Sequence, residues 1–370
     1  MVSVARKSLF ADKLRFAIAV GGVALSVMLI LVLNGFYVGM NRQITAYLDN
    51  SGADLIVAQK GIRNFLGTRS LVPAWREQLI RRMPDVTSVV PVTSSYAVLE
   101  LSGRKEFALL VGFDPAKGGG PWSMRQGDAS PNDEEVIVDG AMADQYGLGL
   151  GDTVEILGED FRVAGVSSGA SSWMTGTFFI TFDTAARLLA TGKDPAFFLV
   201  KVSDPDRVDA VRRAIIRASG GLAVTRRDRV SANDVSLYAQ VFNTPMRFMV
   251  AVAFAIGVML VALTIYTATV ERAREYGVLK AVGIRNGPLY AIVFEQAFVA
   301  SVAGFAVGVA LSLAARGFIQ WLAPQFLISI EGPHVAALFL VALAMSVLAS
   351  WVPVHAVATI DPAIAFRRGA

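Results

Sequence analysis

The sequence is too apolar for a soluble protein of its length. Of its 370 residues, 54% are hydrophobic and 17% are charged, with a mean hydropathy of +0.52, which indicates a membrane protein. The chain contains no cysteine, which excludes disulfides, thiolate metal sites and cysteine nucleophiles. The net charge is +4, but residues 41–247 carry almost equal numbers of acidic and basic side chains, so no nucleic-acid partner is expected.

A first membrane span is predicted from Phe16 to Met40, where no residue is charged. As a helix this stretch would extend roughly 37 Å, more than the ~30 Å hydrocarbon core of a bilayer. The basic leader with Arg6, Lys7, Lys13 and Arg15 also fits a signal peptide. However, the apolar run is too long for one, and no small-residue cleavage site closes it. A retained membrane helix is therefore expected.

Three further spans are predicted in the last third of the chain. They are Phe248 to Val270, roughly Leu289 to Ala315 with Glu295 inside it, and Val335 to Ile360. The charge-rich residues 41–247 separate them from the first span. The sequence thus predicts an α+β membrane protein with one and then three transmembrane helices, and with a large mixed α/β domain inserted after the first.

Basic residues in the short flanking segments set the orientation, because Lys and Arg are retained on the cytoplasmic side. Residues 1–15 and the loop 271–290 each carry four basic side chains, whereas residues 316–334 carry only Arg316. Both termini are therefore predicted to be cytoplasmic. Residues 41–247 are predicted to lie outside the cytoplasm.

Small residues recur at a spacing of four in the predicted spans. Such pairs let helix backbones approach closely in lipid, although glycine is common in membrane helices anyway. The pairs are Gly22 and Ser26, Gly35 and Gly39, and Gly304 and Gly308.

The inserted domain alternates between strand-like and helix-like segments. A helix is predicted from Pro73 to Met83, and short strands over 86–91, 96–101 and 106–111. A second strand and helix follow at 197–217. We expect an α/β subdomain assembled from both ends of the insertion, with a β-rich subdomain at about 130–180 between them.

The sequence contains no convincing catalytic or metal-binding constellation. It has no Walker A motif, and its two histidines lie near opposite ends of one span. The acidic run of Asp133, Glu134 and Glu135 is typical of a solvated loop. Ser171, Ser172 and Trp173 lie in a Gly/Ser-rich turn without a nearby base. No catalytic, cofactor or metal site is predicted on this chain.

The loop at 271–290 mixes charged and apolar residues and breaks at Gly283 and at Gly287-Pro288. This pattern is typical of a short helix lying along the membrane face. On residues alone, an ordinary contact with anionic lipid is the alternative.

The same loop resembles the signature of FtsX-like permeases, the MacB type of ABC transporter, in which an E-R-x-x-E-x-G-x-L-x-A-x-G run follows the second span. The matching residues are Glu271, Arg272, Glu275, Gly277, Leu279, Ala281 and Gly283. Further matches to the family are Glu295, Gly304 and Gly308 in the third span, and Pro353, Ala356, Asp361, Pro362 and Arg367 near the C-terminus. SGADLIV at 51–57 is similar to the start of the family's periplasmic core domain.

The resemblance implies three parts: residues 1–48 with the first helix, a MacB-like core domain at 49–235, and an FtsX-like permease domain at 236–370. It also implies that the helix at 271–290 docks on an ATPase. Because the sequence begins 15 residues before its first span, we expect a separate cytoplasmic ABC ATPase dimer to hold ATP and Mg. The other implied partners are a second copy of the permease or a related permease, the bilayer, and an extracytoplasmic substrate or protein.

The resemblance implies that the protein transmits motion across a bacterial inner membrane, a function called mechanotransmission. ATP closes the ATPase dimer, and long helices at 16–48 and 236–270 that continue beyond the membrane pass the motion to the outer domain, for export or for extraction from the outer leaflet. Alternatives are regulation of an extracytoplasmic hydrolase and a membrane-anchored sensor. Glu295 fits either a structural pair or a contact with substrate.

Overall fold

The computed structural model describes residues 13–172, 175–271 and 273–359. The chain divides into two compact units. The helical unit contains residues 13–38, 243–319 and 328–359 of the described chain. The sheet domain contains residues 39–242 and 320–327.

Helices and strands alternate in the middle of the chain, and the described residues on either side of it form long helices. The helices are α1 (Lys13–Asn50), α2 (Arg76–Arg81), α3 (Gly140–Tyr146), α4 (Phe182–Leu188), α5 (Val208–Ala218), α6 (Arg227–Glu271), α7 (Ala273–Ala281), α8 (Asn286–Leu322) and α9 (Gly332–Ala358). The strands are β1 (Leu55–Gln59), β2 (Val86–Leu101), β3 (Arg104–Phe113), β4 (Met124–Gly127), β5 (Glu135–Asp139), β6 (Thr153–Ile156), β7 (Glu159–Ser167), β8 (Gly176–Thr181), β9 (Phe197–Val202) and β10 (Leu222–Arg226).

Four helices are long and apolar enough to cross a membrane: α1, α6, α8 and α9. With the sheet domain between the first two, they confirm the predicted fold class. α1 and α6 are longer than the predicted spans, because each continues as a polar helix beyond its apolar part. α6 remains helical through Pro245, whose missing N–H leaves one backbone acceptor without its helical donor.

The helical unit is held together by close contacts at small residues. A Cβ built on Gly304 of α8 would stand 2.5 Å from the Cβ of Val23 on α1. One turn later, a Cβ on Gly308 would stand 2.7 Å from the Cβ of Val27. These glycines let α8 pack directly against α1, where any side chain would force the helices apart.

The sheet domain is built on one mixed sheet. Its strand order within the described residues is β10-β1-β9-β2-β3-β8-β5-β7-β4, and β6 pairs with both β2 and β7. β2 joins the two halves, because its first part pairs with β9 and its second part with β3 and β6. The two short strands predicted over 86–101 are therefore one strand, since residues 92–95 also remain extended against β3.

Two hydrophobic cores cover different parts of this sheet. One combines β1, β9 and β10 with α2 and α5, around Ile80, Phe198 and Ile215. The other combines β2, β3 and β5 to β8 with α3 and α4, around Leu99 and Phe178. Strands from about 130–180 thus have their own core but share the sheet with the rest of the domain.

Local signals explain where the helices of this domain begin and end. The predicted helix at 73–83 is shortened to α2, because residues 73–75 and 83 form hydrogen-bonded turns instead. The predicted helix after Asp204 is confirmed. The Asp204 carboxylate accepts the Asp206 N–H at 2.9 Å, a single 3₁₀ turn follows, and α5 continues the helical path.

Candidate functional site

The candidate site is α7, the short helix that follows α6. Of the predicted coupling segment 271–290, α7 covers only 273–281 and ends before the predicted break at Gly283, and α8 already begins at Asn286. Gly283 ends α7 with φ of +96°, and its N–H donates to the Lys280 carbonyl. The Ile284 N–H donates to Leu279, which completes a Schellman motif and explains the glycine at position 283. Arg272 lies outside the described residues.

One face of α7 is fixed to the helical unit. Tyr276 is buried and Leu279 is partly buried in the core, which also contains Leu289 and Val357. The Lys280 ammonium donates to the Ala358 carbonyl at 3.0 Å, at the C-terminal end of α9. A cation there is favoured by the partial negative charge of a helix C-terminus. α7 and α9 are therefore linked by packing and by a charge-assisted hydrogen bond.

The opposite face is open, and we call it the α7 exposed face. Its residues are Glu275 and Val278 on α7, together with Glu271 at the end of α6 and Val282 just after α7, and all four are exposed. Arg274 is also exposed beside them. Val282 is 79% exposed, although valine is among the residues most often buried in proteins. Two acids followed by two valines form a small amphipathic surface.

The residues of the family signature divide between these two faces. Glu271, Glu275, Ala281 and Gly283 are exposed, whereas Gly277 is buried. Leu279 also faces the core. Gly277 and Leu279 therefore position α7, and the surface available to a partner instead includes Val278 and Val282.

Gly35 and Gly39 lie against an extended segment after α8. A Cβ on Gly35 would stand 3.0 Å from Ile328 Cγ2, and the Ser329 N–H donates to the Gly35 carbonyl at 2.9 Å. Within the sheet domain, Gly39 lies directly against the Leu327 backbone carbonyl. The expected helix–helix contact is therefore a contact between a helix and an extended segment at these two positions.

Glu295 lies in the third turn of α8 and is partly buried. Of the C-terminal family motif, Pro353 is buried within α9 and Ala356 is partly buried near its end. Asp361, Pro362 and Arg367 lie outside the described residues.

The sheet domain fixes the polar end of α6 through a buried carboxylate. Asp234 is fully buried and accepts N–H donors from Phe65 and Leu66, at 3.1 and 3.3 Å. One turn later, the Tyr238 hydroxyl lies 2.9 Å from the Tyr96 hydroxyl on β2. α6 is thus joined both to the loop after β1 and to the central strand.

The end of α1 is fixed to the same domain by Tyr47. Its hydroxyl donates to the Gly119 carbonyl at 2.7 Å, and its ring stacks on Phe65 with 5.1 Å between centroids. Phe65 therefore contacts Tyr47 and also donates its N–H to Asp234. The polar ends of α1 and α6 share one attachment point in the sheet domain.

The structure also places a buried acid that the sequence reasoning did not single out. Asp139 ends β5 and caps α3, accepting the Met142 N–H at 3.3 Å and the Ser171 hydroxyl at 2.9 Å. Burial raises the pKa of Asp139 to about 6, against the opposing effect of these hydrogen bonds. An aspartate directly before a helix start is the sequence signal that could have identified it.

The acidic run at 133–135 is engaged in local contacts rather than in a cluster. Asp133 accepts the Thr181 hydroxyl, and Glu135 pairs with Arg162. Among the described residues, no three His, Cys, Asp or Glu side chains form a group that could hold a metal ion. Trp173 lies outside the described residues.

Four lipid-compatible helices, a sheet domain inserted after the first and an exposed amphipathic helix after the second define a multi-pass membrane protein. Comparison with known families identifies which class of membrane protein this is. Residues 16–218 match the MacB-like periplasmic core domain, and residues 247–362 match the FtsX-like permease C-terminal domain. The chain belongs to this family of ABC transporter permeases, as the loop signature predicted. Such a permease requires an ATPase partner.

The chain is similar to proteins named as permeases and to one solved periplasmic region. The uncharacterized ABC transporter permease MT0078 of Mycobacterium tuberculosis is 25% identical over 360 residues, which are 96% of each chain. The pyoverdine export ATP-binding/permease protein PvdT of Pseudomonas aeruginosa is 23% identical over 98% of this chain and 58% of its own length. The periplasmic region of MacB from Actinobacillus actinomycetemcomitans aligns with half of this chain, at 18% identity and a TM-score of 0.39.

Proposed function

We propose that this permease couples ATP hydrolysis on a separate cytoplasmic ATPase dimer to movement of the sheet domain. The ATPase binds the α7 exposed face, and the motion serves export or extraction from the outer leaflet. The observation that carries this proposal is the two-sided construction of α7. One face is fixed to the core through Tyr276 and Lys280, while the other offers Glu275 and Val282 to a partner. A helix built this way transmits force from its exposed side to its buried side.

The continuity of α1 and α6 supports mechanical coupling to the sheet domain. Each helix is uninterrupted from its apolar part into its polar part, and each polar part is attached near Phe65. A rigid helix with a fixed end moves that end when the other end is displaced. Transmission needs such an element with two arrangements, which both ATP and the outer domain can bias.

The orientation follows from the basic residues flanking the spans. α7 and the loop after it carry Arg274, Lys280 and Arg285, which favour the cytoplasmic side. The four spans then cross a bacterial inner membrane, and the sheet domain lies outside the cytoplasm. This places α7 on the side where ATP is available.

A separate ATPase chain agrees with the coverage of the relatives. MT0078 is named a permease and matches this chain over 96% of its length. PvdT is named an ATP-binding/permease protein, and this chain covers 58% of it. The name of PvdT also supports export as the direction of transport.

A second copy of the chain is proposed along α6. Exposed apolar residues recur on one side of α6 at alternating spacings of three and four, a repeat typical of helices that pair. They are Met249, Val252, Ile256, Met259, Leu263 and Tyr266. Because the chain has no cysteine, a single Met259→Cys variant allows an unambiguous disulfide cross-link. A dimer band with this variant and none with Leu340→Cys, on the exposed side of α9, is the expected result.

The proposed ATPase contact is tested by co-purification from native membranes. Tagged wild-type permease should retain an ATPase with a Walker A motif, identified by mass spectrometry. The double variant Glu271→Lys, Glu275→Lys should lose it, because both acids on the exposed face are reversed. Glu134→Lys, an exposed acid in the sheet domain, should retain it.

Other results would replace the proposal. An ATPase retained equally by the double variant would remove the α7 exposed face as its docking site. Capture of an extracytoplasmic hydrolase whose activity follows ATP would indicate a regulator instead of an exporter. If neither partner is found, the α7 exposed face is a contact with lipid, and the alternative function as a membrane-anchored sensor gains support.

A further inference from the structure

The helical unit contains a cavity that the proposed ATPase coupling does not use. It has a volume of about 490 Å³ and lies between α1, α6 and α9. This volume is within the range of small-molecule sites in proteins. Every described lining residue belongs to the helical unit of one chain, so the cavity needs no residue from a second copy.

The cavity has a polar end and an apolar end. α1 and α6 run antiparallel, since Gly22 lies against Leu260 and Ser26 against Gly257. At this register the polar lining residues fall together, toward the sheet-domain ends of the two helices. They are Asn34, Tyr37, Asn243 and Arg247. Deeper in the membrane the lining is apolar, with Ile30, Val250, Phe254, Leu338 and Val341.

The polar end carries one positive charge. Arg247 lines the cavity, and no acidic side chain is among the described lining residues. Among the described ion pairs, none involves Arg247. A guanidinium at the border of an apolar cavity is stabilised by an anion, above all by a phosphate or carboxylate that it can bind with two N–H groups.

The depth of the cavity matches one leaflet of a bilayer. Its lining on α6 extends from Asn243 to Phe254, about 17 Å along a helix, which is close to half of the ~40–45 Å of a bilayer with its headgroup regions. A charged end at the membrane surface and an apolar end near its centre form the complement of a phospholipid.

We propose that this cavity binds one anionic phospholipid of the surrounding leaflet, with its phosphate at Arg247 and one acyl chain between α1, α6 and α9. The lipid contacts both helices that continue into the sheet domain. It therefore becomes part of the packing that fixes their separation. This inference rests on the membrane location of the chain and is independent of ATP coupling.

The test uses the purified full chain, stripped of lipid in neutral detergent and without an ATPase. Phosphatidylglycerol or phosphatidylcholine with identical acyl chains is added, and bound lipid is counted by native mass spectrometry. Wild type should bind one phosphatidylglycerol per chain about tenfold more tightly than phosphatidylcholine, because the choline ammonium of the latter offsets the phosphate charge beside Arg247. Arg247→Gln should abolish that preference, and Arg247→Lys should retain most of it. Arg285→Gln, a matched change near α7, should have no effect.

A second pair of variants tests the cavity itself. Val341→Trp places a large side chain in the cavity and should prevent binding of both lipids. Leu340→Trp, the neighbouring residue on the exposed side of α9, should leave binding unchanged. Equal binding of the two lipids to wild type, or full binding to Val341→Trp, would overturn the proposal. So would displacement of the lipid by a second copy of the chain, seen as a Val341→Cys disulfide dimer.

Discussion

Gly304 and Val23 stand so close that a Cβ on the glycine would lie 2.5 Å from the Cβ of the valine. The same added atom would stand 2.9 Å from the backbone carbonyl of Val20. Neither neighbour can move easily, since one is branched at Cβ and the other is backbone. The packing of α8 on α1 thus depends on the absence of a side chain at position 304.

Gly304→Ala should therefore destabilise the helical unit although alanine is the better helix former. We expect a loss of about 1–3 kcal/mol from overpacking, less up to about 1 kcal/mol gained in helix propensity. Thermal unfolding of the detergent-solubilised protein would measure it. Gly317→Ala on the same helix meets no atom within 4 Å and should be neutral or stabilising. Equal melting temperatures for the two variants would contradict the observed helix contact.

Lys280 should be needed for coupling rather than for ATPase binding, because its ammonium donates to the Ala358 carbonyl at the end of α9. Lys280→Met keeps the apolar stem and removes the donor. The ATPase should still co-purify, while transport-coupled ATP hydrolysis should fall about fivefold, equivalent to one hydrogen bond of about 1 kcal/mol. Glu275→Lys should show the opposite pattern, in which co-purification of the ATPase is lost first. Loss of the ATPase from Lys280→Met would move this residue into the docking surface.

The membrane helices could be predicted because hydropathy alone determines them. The apolar run from Phe16 to Met40 must be helical in lipid whatever it packs against. Hydropathy does not predict the polar extension of α6, which is expected from residue 236 only because the implied mechanism needs a long helix. Its helix is fixed by Asp234 and Tyr238 contacting residues 65 and 96, which are more than a hundred positions away in the sequence.

The sequence also could not predict which residues lie on each face of α7. The family signature marks Glu275 and Leu279 as one motif, but only the tertiary structure separates the exposed acid from the leucine in the core. The partner of that leucine is a cluster that includes Val357, near the other end of the permease domain. Gly283, by contrast, has a purely local reason, which a helix-stop signal already indicates.

Asp139 should make the stability of the sheet domain dependent on pH. Its pKa is raised to about 6 in the folded protein, above the ~3.9 of an unfolded aspartate. The folded state thus binds the proton more tightly. This contribution is fully present below pH ~4 and is lost as the pH rises through about 6, on the order of 3 kcal/mol in total.

Asp139→Asn should remove this dependence, because the amide caps α3 without ionising. Its unfolding free energy, measured by denaturant titration of the full chain in detergent, should vary less between pH 4.5 and 7.5 than that of wild type. Ser171→Ala should shift the transition to higher pH, since the lost hydroxyl favours the ionised form. An unchanged pH profile for Asp139→Asn would show that other groups control the transition.

Asp234 should be needed for the attachment of α6 to the sheet domain. Asp234→Ala leaves the N–H groups of Phe65 and Leu66 buried without an acceptor, at a cost of about 1–3 kcal/mol. Asp234→Asn keeps one oxygen acceptor and should cost less. If α6 transmits motion, the alanine variant should still bind the ATPase and hydrolyse ATP, while export falls.

Hydrogen exchange at residues 60–70 provides the structural readout for these variants. Faster exchange in Asp234→Ala than in Asp234→Asn is expected, because the loop loses its acceptor on α6. Ser236→Ala is the matched control, because Ser236 is exposed on the same stretch of helix and its hydroxyl donates to the Asn233 carbonyl of that helix. Wild-type export by Asp234→Ala together with faster loop exchange would show that the attachment is structural and that motion reaches the sheet domain by another route.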